Sequence, residues 1–215
     1  MQLDLGKATS GLWPADDLPR DQCLCLEFVN TLSWRGRPEP TERLIHPADW
    51  LNWIEEAKAL PVEAVAELRR RAGMWEAESQ KGLARAIEFR EAVYNLLYAH
   101  SQGTAPSNPD VSEFMGVLES AMEGLRLNPA DGQWGWRLDN TPLDWEAPLR
   151  PVALSAAQLL TSGFAARVRG CGRDECRWLF LDLTKNNSRK WCDMATCGNV
   201  LKARRNYARK KSAAA

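Results

Sequence analysis

Apolar residues recur at helical spacing through most of the first 168 positions. Pro47 opens a stretch with Trp50, Trp53, Ile54 and Ala57 along one face, and Pro61 opens a second with Val62, Val65, Leu68, Ala72 and Trp75. Residues 83–100 give the clearest amphipathic helix, its stripe made of Leu83, Ala86, Ile87, Val93, Tyr94 and Leu97. A further helix is expected over 111–127, through Val111, Phe114, Met115, Leu118, Met122 and Leu125. Gln133 to Asp139 alternates Trp134, Trp136 and Leu138, the period of a strand. A last helix of the body is expected from about Pro151 to Val168. Gly6, Gly11, Pro14 and Pro19 break any pattern over 1–20, which reads as an irregular arm. Cys23 to Leu32 is apolar but too short to reveal its period. The chain therefore reads as mainly α with a small β component (α+β).

After residue 168 the pattern changes from periodic to punctuated. Four cysteines read Cys171-x4-Cys176, fifteen residues, then Cys192-x4-Cys197, with glycine after the first and the last. Two close thiolate pairs can wrap one Zn²⁺ tetrahedrally, and glycine suits the tight turn of a metal knuckle. The competing readings are four reduced thiols or two disulfides, and disulfides need an oxidising compartment. Between the pairs, Trp178 to Leu181 suits a strand beside the metal and Thr184 to Arg189 a polar turn. Asn199 is placed as the N-cap of a helix from Val200 to about Lys211. At 100° per residue, Val200, Ala203 and Tyr207 share one side of that helix and Lys202, Arg205 and Arg209 the other. Arg189 and Lys190, held near the metal, add two cations. The expected architecture is a helical body over 1–165 and, over 166–215, a treble-clef or zinc-ribbon-like module closed by a basic helix.

Charge supports the same division. The whole chain is formally neutral, but residues 167–215 hold 13 Lys+Arg against 4 Asp+Glu, a net of +9. Residues 1–166 carry the remaining 15 Lys+Arg and 24 Asp+Glu, a net of −9. A zinc ion on four thiolates adds about −2 and leaves the module positive. A basic end on an acidic body points to a polyanion partner, against the plainer reading of a solvated positive face. The first 19 residues lack the basic flank and apolar run of a signal peptide, and no apolar stretch reaches bilayer-spanning length. A cytoplasmic location without membrane association is the expectation, and it favours metal over disulfide.

These residues resemble a known family. Cys171-Gly172-(x3)-Cys176-(x3)-Phe180-x-Asp182, then Ser188-Arg189-Lys190-Trp191-Cys192-x-Met194-(x2)-Cys197-Gly198-Asn199, closely resembles the CGNR zinc finger. Leu24-Cys25-Leu26-Glu27-Phe28-Val29-Asn30-Thr31 is similar to the opening of the ABATE domain, which accompanies that finger in bacterial proteins described as stress-induced transcription regulators. The resemblance implies that Cys171, Cys176, Cys192 and Cys197 ligate one structural zinc and that the tail from Lys202 to Lys211 is the DNA-binding element. The arginine that gives the finger its name is Val200 here, so a nucleic-acid contact at that position is not carried over.

Three features of the body bear on function. Arg90 interrupts the apolar stripe of its helix, and a buried guanidinium needs a partner. Glu27 is the expected partner in a structural salt bridge; alternatively Arg90, with Glu27, Asn30 and Thr31, lines a pocket for a small anionic effector. Cys23 and Cys25 are read as core fillers, with a redox pair or extra thiol ligands as the alternative. Trp178 and Trp191 are expected to shield the zinc, although either could stack on a base. An enzyme is the weakest reading. His46 and His100 are the sole imidazoles, each at a helix end; no phosphate loop or nucleophile elbow stands out, and a four-cysteine zinc has no open coordination position. The expected function is a zinc-dependent DNA-binding regulator whose body senses a ligand or dimerises. The alternative is a zinc-stabilised module that docks on an acidic protein, or on this body, or binds RNA.

Overall fold

The computed structural model describes residues 2–4, 23–130, 133–139 and 142–199. Most of the arm and the whole basic helix expected after Asn199, with Val200, Lys202, Arg205 and Arg209, lie outside the described residues. The described chain is mainly helical with three small antiparallel sheets.

The apolar run that left its period open is a helix, α1 (Leu24–Val29), which buries Cys25, Leu26, Phe28 and Val29. A two-stranded ribbon follows, β2 (Leu32–Ser33) against β3 (Thr41–Glu42). Helix α2 (Pro47–Glu56) begins at its proline, and the Asp49 carboxylate accepts from the backbone N–H of His46 at 2.8 Å. Helix α3 is Val62–Met74.

Helix α4 (Glu76–Gln102) is the axis of the molecule and packs on all of α1, α2, α3, α5 and α6. Its even spread of buried residues, from Leu83 to Leu97, explains why a single amphipathic stripe understated it. Gly103 ends it in the left-handed region, φ 68°, and the Thr104 N–H returns to Ala99 O at 2.9 Å.

Two expected helices stop early. Helix α5 (Asn108–Glu123), capped by Ser107 Oγ, ends before residues 125–127, which start strand β4 (Leu125–Ala130). Gly124 makes that exit feasible, since a Cβ there would lie 2.6 Å from Asp139 O on β5 (Gln133–Asp139). β5 pairs with β4 and, on its other edge, with β1 (Gln2–Asp4), so residues 2–4 of the expected arm are a strand. Helix α6 (Leu149–Thr161) ends seven residues before Val168. There Ser162 Oγ donates to Leu159 O and accepts from Phe164 N–H, closing the turn. A single turn of 3₁₀ helix (Ala165–Arg167) then leads into β6 (Val168–Gly170), which pairs with β7 (Leu179–Leu181).

That hairpin decides how the two parts of the chain sit. Val168, Leu179 and Leu181 belong to the same apolar core as Phe28, Phe89, Leu97 and Leu159. β6 packs on α4 and β7 on α1. The cysteine module is therefore seated on the body through its own strands. Among the described residues, no helix is long and apolar enough to cross a membrane.

Candidate metal centre

The first cysteine knuckle hangs from the β6–β7 hairpin. Cys171 N–H donates to Trp178 O at 2.7 Å and Cys176 N–H to Arg173 O at 2.8 Å, so both thiols leave the turn on the same side. The second knuckle is a wide helical turn, Met194–Gly198, whose N-cap is Asp193: its carboxylate accepts from Thr196 N–H at 2.7 Å. Asn199, expected as the N-cap of a helix from Val200, already has a helical backbone, φ −68° and ψ −38°, because a helical turn starts five residues earlier, inside the knuckle.

All four Sγ atoms lie within 4.8 Å of one another. Cys192 Sγ is 3.6 Å from Cys176 Sγ and 3.7 Å from Cys197 Sγ. A tetrahedron of thiolates at the zinc–sulphur distance has edges of about 3.8 Å, so the donor set and its spacing fit one Zn²⁺. Without a cation Cys171, Cys176 and Cys192 do not all ionise together. Hydrogen bonds from Cys176 and Cys192 pull the Cys171 thiol well below its ordinary range, and sharing with Cys171 pushes those of Cys176 and Cys192 up. The cluster is a proton trap that a divalent metal would empty. All six cysteines of the chain are unpaired thiols.

The glycines beside the ligands serve by giving room, since neither has a positive φ. A Cβ on Gly172 would meet Lys190 O at 3.1 Å and the Trp191 ring at 3.0 Å, and Gly172 N–H donates to Lys190 O at 2.8 Å. That contact ties the two knuckles together. Trp178 and Trp191 pack beside the thiols as expected, and Trp34, from the β2–β3 loop of the body, joins them. Trp34 itself lies between two guanidiniums, Arg37 at 3.9 Å and Arg173 at 4.7 Å from its ring centroid.

Asp182 is the hub of the turn between the knuckles, and its fully buried carboxylate accepts from Thr184 N–H (2.9 Å), Thr184 Oγ1 (2.6 Å) and Arg189 N–H (2.8 Å). Burial alone would raise its pKa, yet these donors hold it below the ordinary carboxylate range. The sequence motif contained Asp182 without revealing this role. A buried acid two residues after a strand aromatic was the available signal. Arg189, expected to face a nucleic acid, is exposed, and it also donates to Trp191 O at 2.9 Å and to Cys192 O, with its guanidinium 4.6 Å from the Phe180 ring. Its charge braces the second knuckle. Lys190 is exposed.

The four body residues expected to form a pocket are not brought together as one. Arg90 is fully buried and its partner is Glu42, not Glu27: Nη1 and Nη2 each donate to a Glu42 carboxylate oxygen at 2.6 Å. Arg90 also donates to Thr31 Oγ1 at 3.1 Å and to Glu91 at 2.8 Å, so four of its five N–H groups are held within the fold. The sequence did not reveal Glu42 because it lies on the β3 ribbon strand, 48 residues away. Glu27 is exposed, and loss of solvent around it raises its carboxyl. Asn30 is a seam residue: its Nδ2 donates to Leu179 O at 2.8 Å and its Oδ1 accepts from Leu179 N–H at 3.1 Å. Glu27, Asn30 and Thr31 do border a cleft of about 500 Å³ between α1, α2 and β7, together with Arg43, Trp53 and Trp178, but Arg90 does not reach it.

Two further contacts hold the first knuckle on the body. Gly36 N–H donates to Glu175 O at 3.2 Å, and Tyr94 Oη donates to Arg177 O at 2.9 Å. A Cβ on Gly36 would lie 1.9 Å from Asp174 O, so only glycine permits that approach.

Comparison with known families agrees with this geometry. The ABATE family model, described as "Putative stress-induced transcription regulator", matches residues 23–163, more than half of the chain. The CGNR zinc finger model matches residues 167–210. No curated protein matches the chain. Four cysteines in tetrahedral reach of one ion, inside a matched zinc finger, hold one structural zinc.

Proposed function

We propose that this chain, which belongs to the ABATE family and carries a CGNR zinc finger, is a zinc-dependent DNA-binding regulator of transcription. The observation that carries the reading is the charge division: residues 167–215, formally +9 before the zinc–thiolate centre takes off about 2, are fixed to a body of net −9. Counterion release from phosphates favours such a surface on DNA, whatever the base sequence. Arg189, Lys190 and the cations at 202, 205 and 209 are the groups we assign to phosphate contact; Arg189, at the surface, also bonds to the carbonyls of the second knuckle. Zinc has a structural part and no catalytic one, because four thiolates leave it no open position. We read the protein as non-enzymatic and cytoplasmic.

The body supplies the regulatory input in this reading. Its cleft between α1, α2 and β7 has one wall from each part of the chain, so a small anion held there by Arg43 would touch both. Dimerisation of the body is the other way in which it could set DNA affinity. The reading of the finger as a protein-docking module has one specific observation behind it, namely that the finger's first knuckle is already docked on its own body.

The deciding experiment is selection of genomic DNA fragments by the zinc-loaded protein at near-physiological salt, beside a chelated control and an RNA pool. Zinc-dependent enrichment of a few short sites is expected. Enrichment from the RNA pool alone, or from neither, would move the function to RNA or protein docking.

A further inference from the structure

Cys23 and Cys25 take no part in the zinc centre, yet their sulphurs touch each other. Cys23 Sγ lies 3.5 Å from Cys25 Sγ. Both belong to the apolar core, and within it they meet each other across the start of α1. Cys23 stands just before the helix with φ −88° and ψ 89°, so its side chain can swing toward Cys25 without unwinding a helical turn. The two thiols also differ in access. Cys25 is fully buried, whereas Cys23 is 8% exposed and borders the solvent-open cleft between α1, α2 and β7.

We infer that Cys23 and Cys25 form a peroxide-responsive dithiol, in which a small hydroperoxide entering the cleft oxidises Cys23 and Cys25 then closes an intramolecular disulfide. In the first step the Cys23 thiolate attacks the near oxygen of ROOH. The O–O bond breaks, Cys23 becomes a sulfenic acid, and the alkoxide leaves to take up the Cys23 proton as ROH. In the second step the Cys25 sulphur attacks the Cys23 sulphur, the S–O bond breaks, and the Cys25 proton leaves with the hydroxyl as water. The sum is two thiols and ROOH giving one disulfide, ROH and H₂O. The sulphurs must close from 3.5 Å to a bond of about 2.05 Å, within reach of side-chain rotation at the non-helical Cys23.

The electrostatics suit this division of labour. The hydrogen bond from Cys25 lowers the Cys23 thiol, and burial raises Cys25 well above its ordinary value. Of the two sulphurs, the one that borders the cleft is the more readily ionised, and the thiolate is the form that attacks peroxide. The zinc ligands are protected in comparison, because their electron pairs are committed to the metal. The pair also sits at the root of the short helix that ends at Asn30, the residue holding β7 of the finger.

The test uses the full-length zinc-loaded protein, treated with a few equivalents of hydrogen peroxide. Trypsin releases residues 21–35 as one peptide that contains both cysteines and none of the zinc ligands. Expected is a peptide two hydrogens lighter, formed while zinc remains bound at one per chain. In Cys25→Ser, a cyclic 1,3-dione should trap sulfenic acid at Cys23. Release of zinc while the 21–35 peptide stays reduced would overturn the proposal, as would sulfinic acid at Cys23 in place of the disulfide.

Discussion

Asn30 pairs with Leu179 as if it were one more residue of a β-strand, its carboxamide giving one hydrogen bond to that residue's carbonyl and taking one from its N–H. The two residues are 149 positions apart, one at the end of α1 in the ABATE region and the other in the zinc finger. A side chain thus does the work of a sheet ladder at the seam between them. Asn30→Ala should cost about 2–3 kcal/mol of holo-protein stability, since two bonds are lost and the Leu179 peptide is left short of partners. Asn30→Asp keeps the acceptor only and should fall between. Urea titration followed by far-UV dichroism measures both, and a loss below about 0.5 kcal/mol for Asn30→Ala would remove the seam from the account.

Arg90, fully buried, and Glu42, partly open to solvent, form a bidentate pair. Arg90→Met should destabilise the fold by roughly 1–3 kcal/mol, the cost of losing charged hydrogen bonds where the remaining carboxylate can still reach water. Adding Glu42→Gln to it should recover part of the loss. The pair also sets an acid limit. Burial pushes the Glu42 carboxyl up, but the hydrogen bonds from Arg90 and the backbone outweigh this and leave it below its reference value of 4.5. A depressed carboxylate stabilises the fold above its unfolded pKa and ceases to as pH falls through the folded one. Stability should therefore drop on acidification below about pH 4.5, and Glu42→Gln should flatten that part of the curve. An unchanged acid limb in Glu42→Gln would assign the effect to other groups, Asp182 first among them.

Gly36→Ala probes the approach of the β2–β3 loop to the first knuckle. The added methyl would sit 1.9 Å from a backbone oxygen, which cannot rotate away as a side chain would. Overpacking of this kind costs roughly 1–3 kcal/mol, and here it should appear as undocking of the finger rather than global unfolding. Faster hydrogen exchange at Tyr94-facing residues 173–179, with α4 still protected, is the expected signature. Protection retained throughout 173–179 would mean that the loop yields instead.

Removing zinc should loosen more than the finger. Structural zinc contributes on the order of 10 kcal/mol to small modules, and here β6 and β7 carry Val168, Leu179 and Leu181 into the common core. Chelation, or Cys171→Ser, should abolish the one-to-one zinc stoichiometry and lower the thermal midpoint of the body as well. A body transition that does not move on chelation would show that the hairpin holds without metal.

DNA affinity should follow salt. If Lys202, Arg205 and Arg209 each neutralise a phosphate, the slope of log K against log salt falls by about 0.9 for each one replaced by Glu. Fluorescence anisotropy with a duplex across a salt series measures it. A slope that stays the same in the triple variant would place the contact elsewhere.

Much of this was legible in the chain. The zinc ligands could be named because thiolate spacing follows from the metal's own coordination sphere, and α2, α3 and α4 because proline and apolar period mark them locally. Other features escaped for physical reasons. Glu42 as the partner of Arg90 depends on a ribbon 48 residues distant, and local pattern holds no record of that contact. Gly36 looks like any loop glycine until the Asp174 carbonyl arrives beside it. Arg189 shows in the sequence as a cation near the metal, but its bonds to the carbonyls of its own knuckle could not be read there.

The two knuckles differ in what anchors them. The first is fastened to the body through Gly36, Tyr94 and Asn30, whereas the hydrogen bonds of the second, at Gly172–Lys190 and through Arg189, return to the finger itself. Zinc is then a joint in the mechanical sense, one that works beside the Gly172–Lys190 contact, and Cys192 and Cys197 take part of their bearing relative to the body through metal–sulphur bonds. An ion of larger radius, such as cadmium, would lengthen the bonds to both pairs and shift the second knuckle against the first. The identity of the metal would act as an angular setting on the protein as well as a condition for its folding.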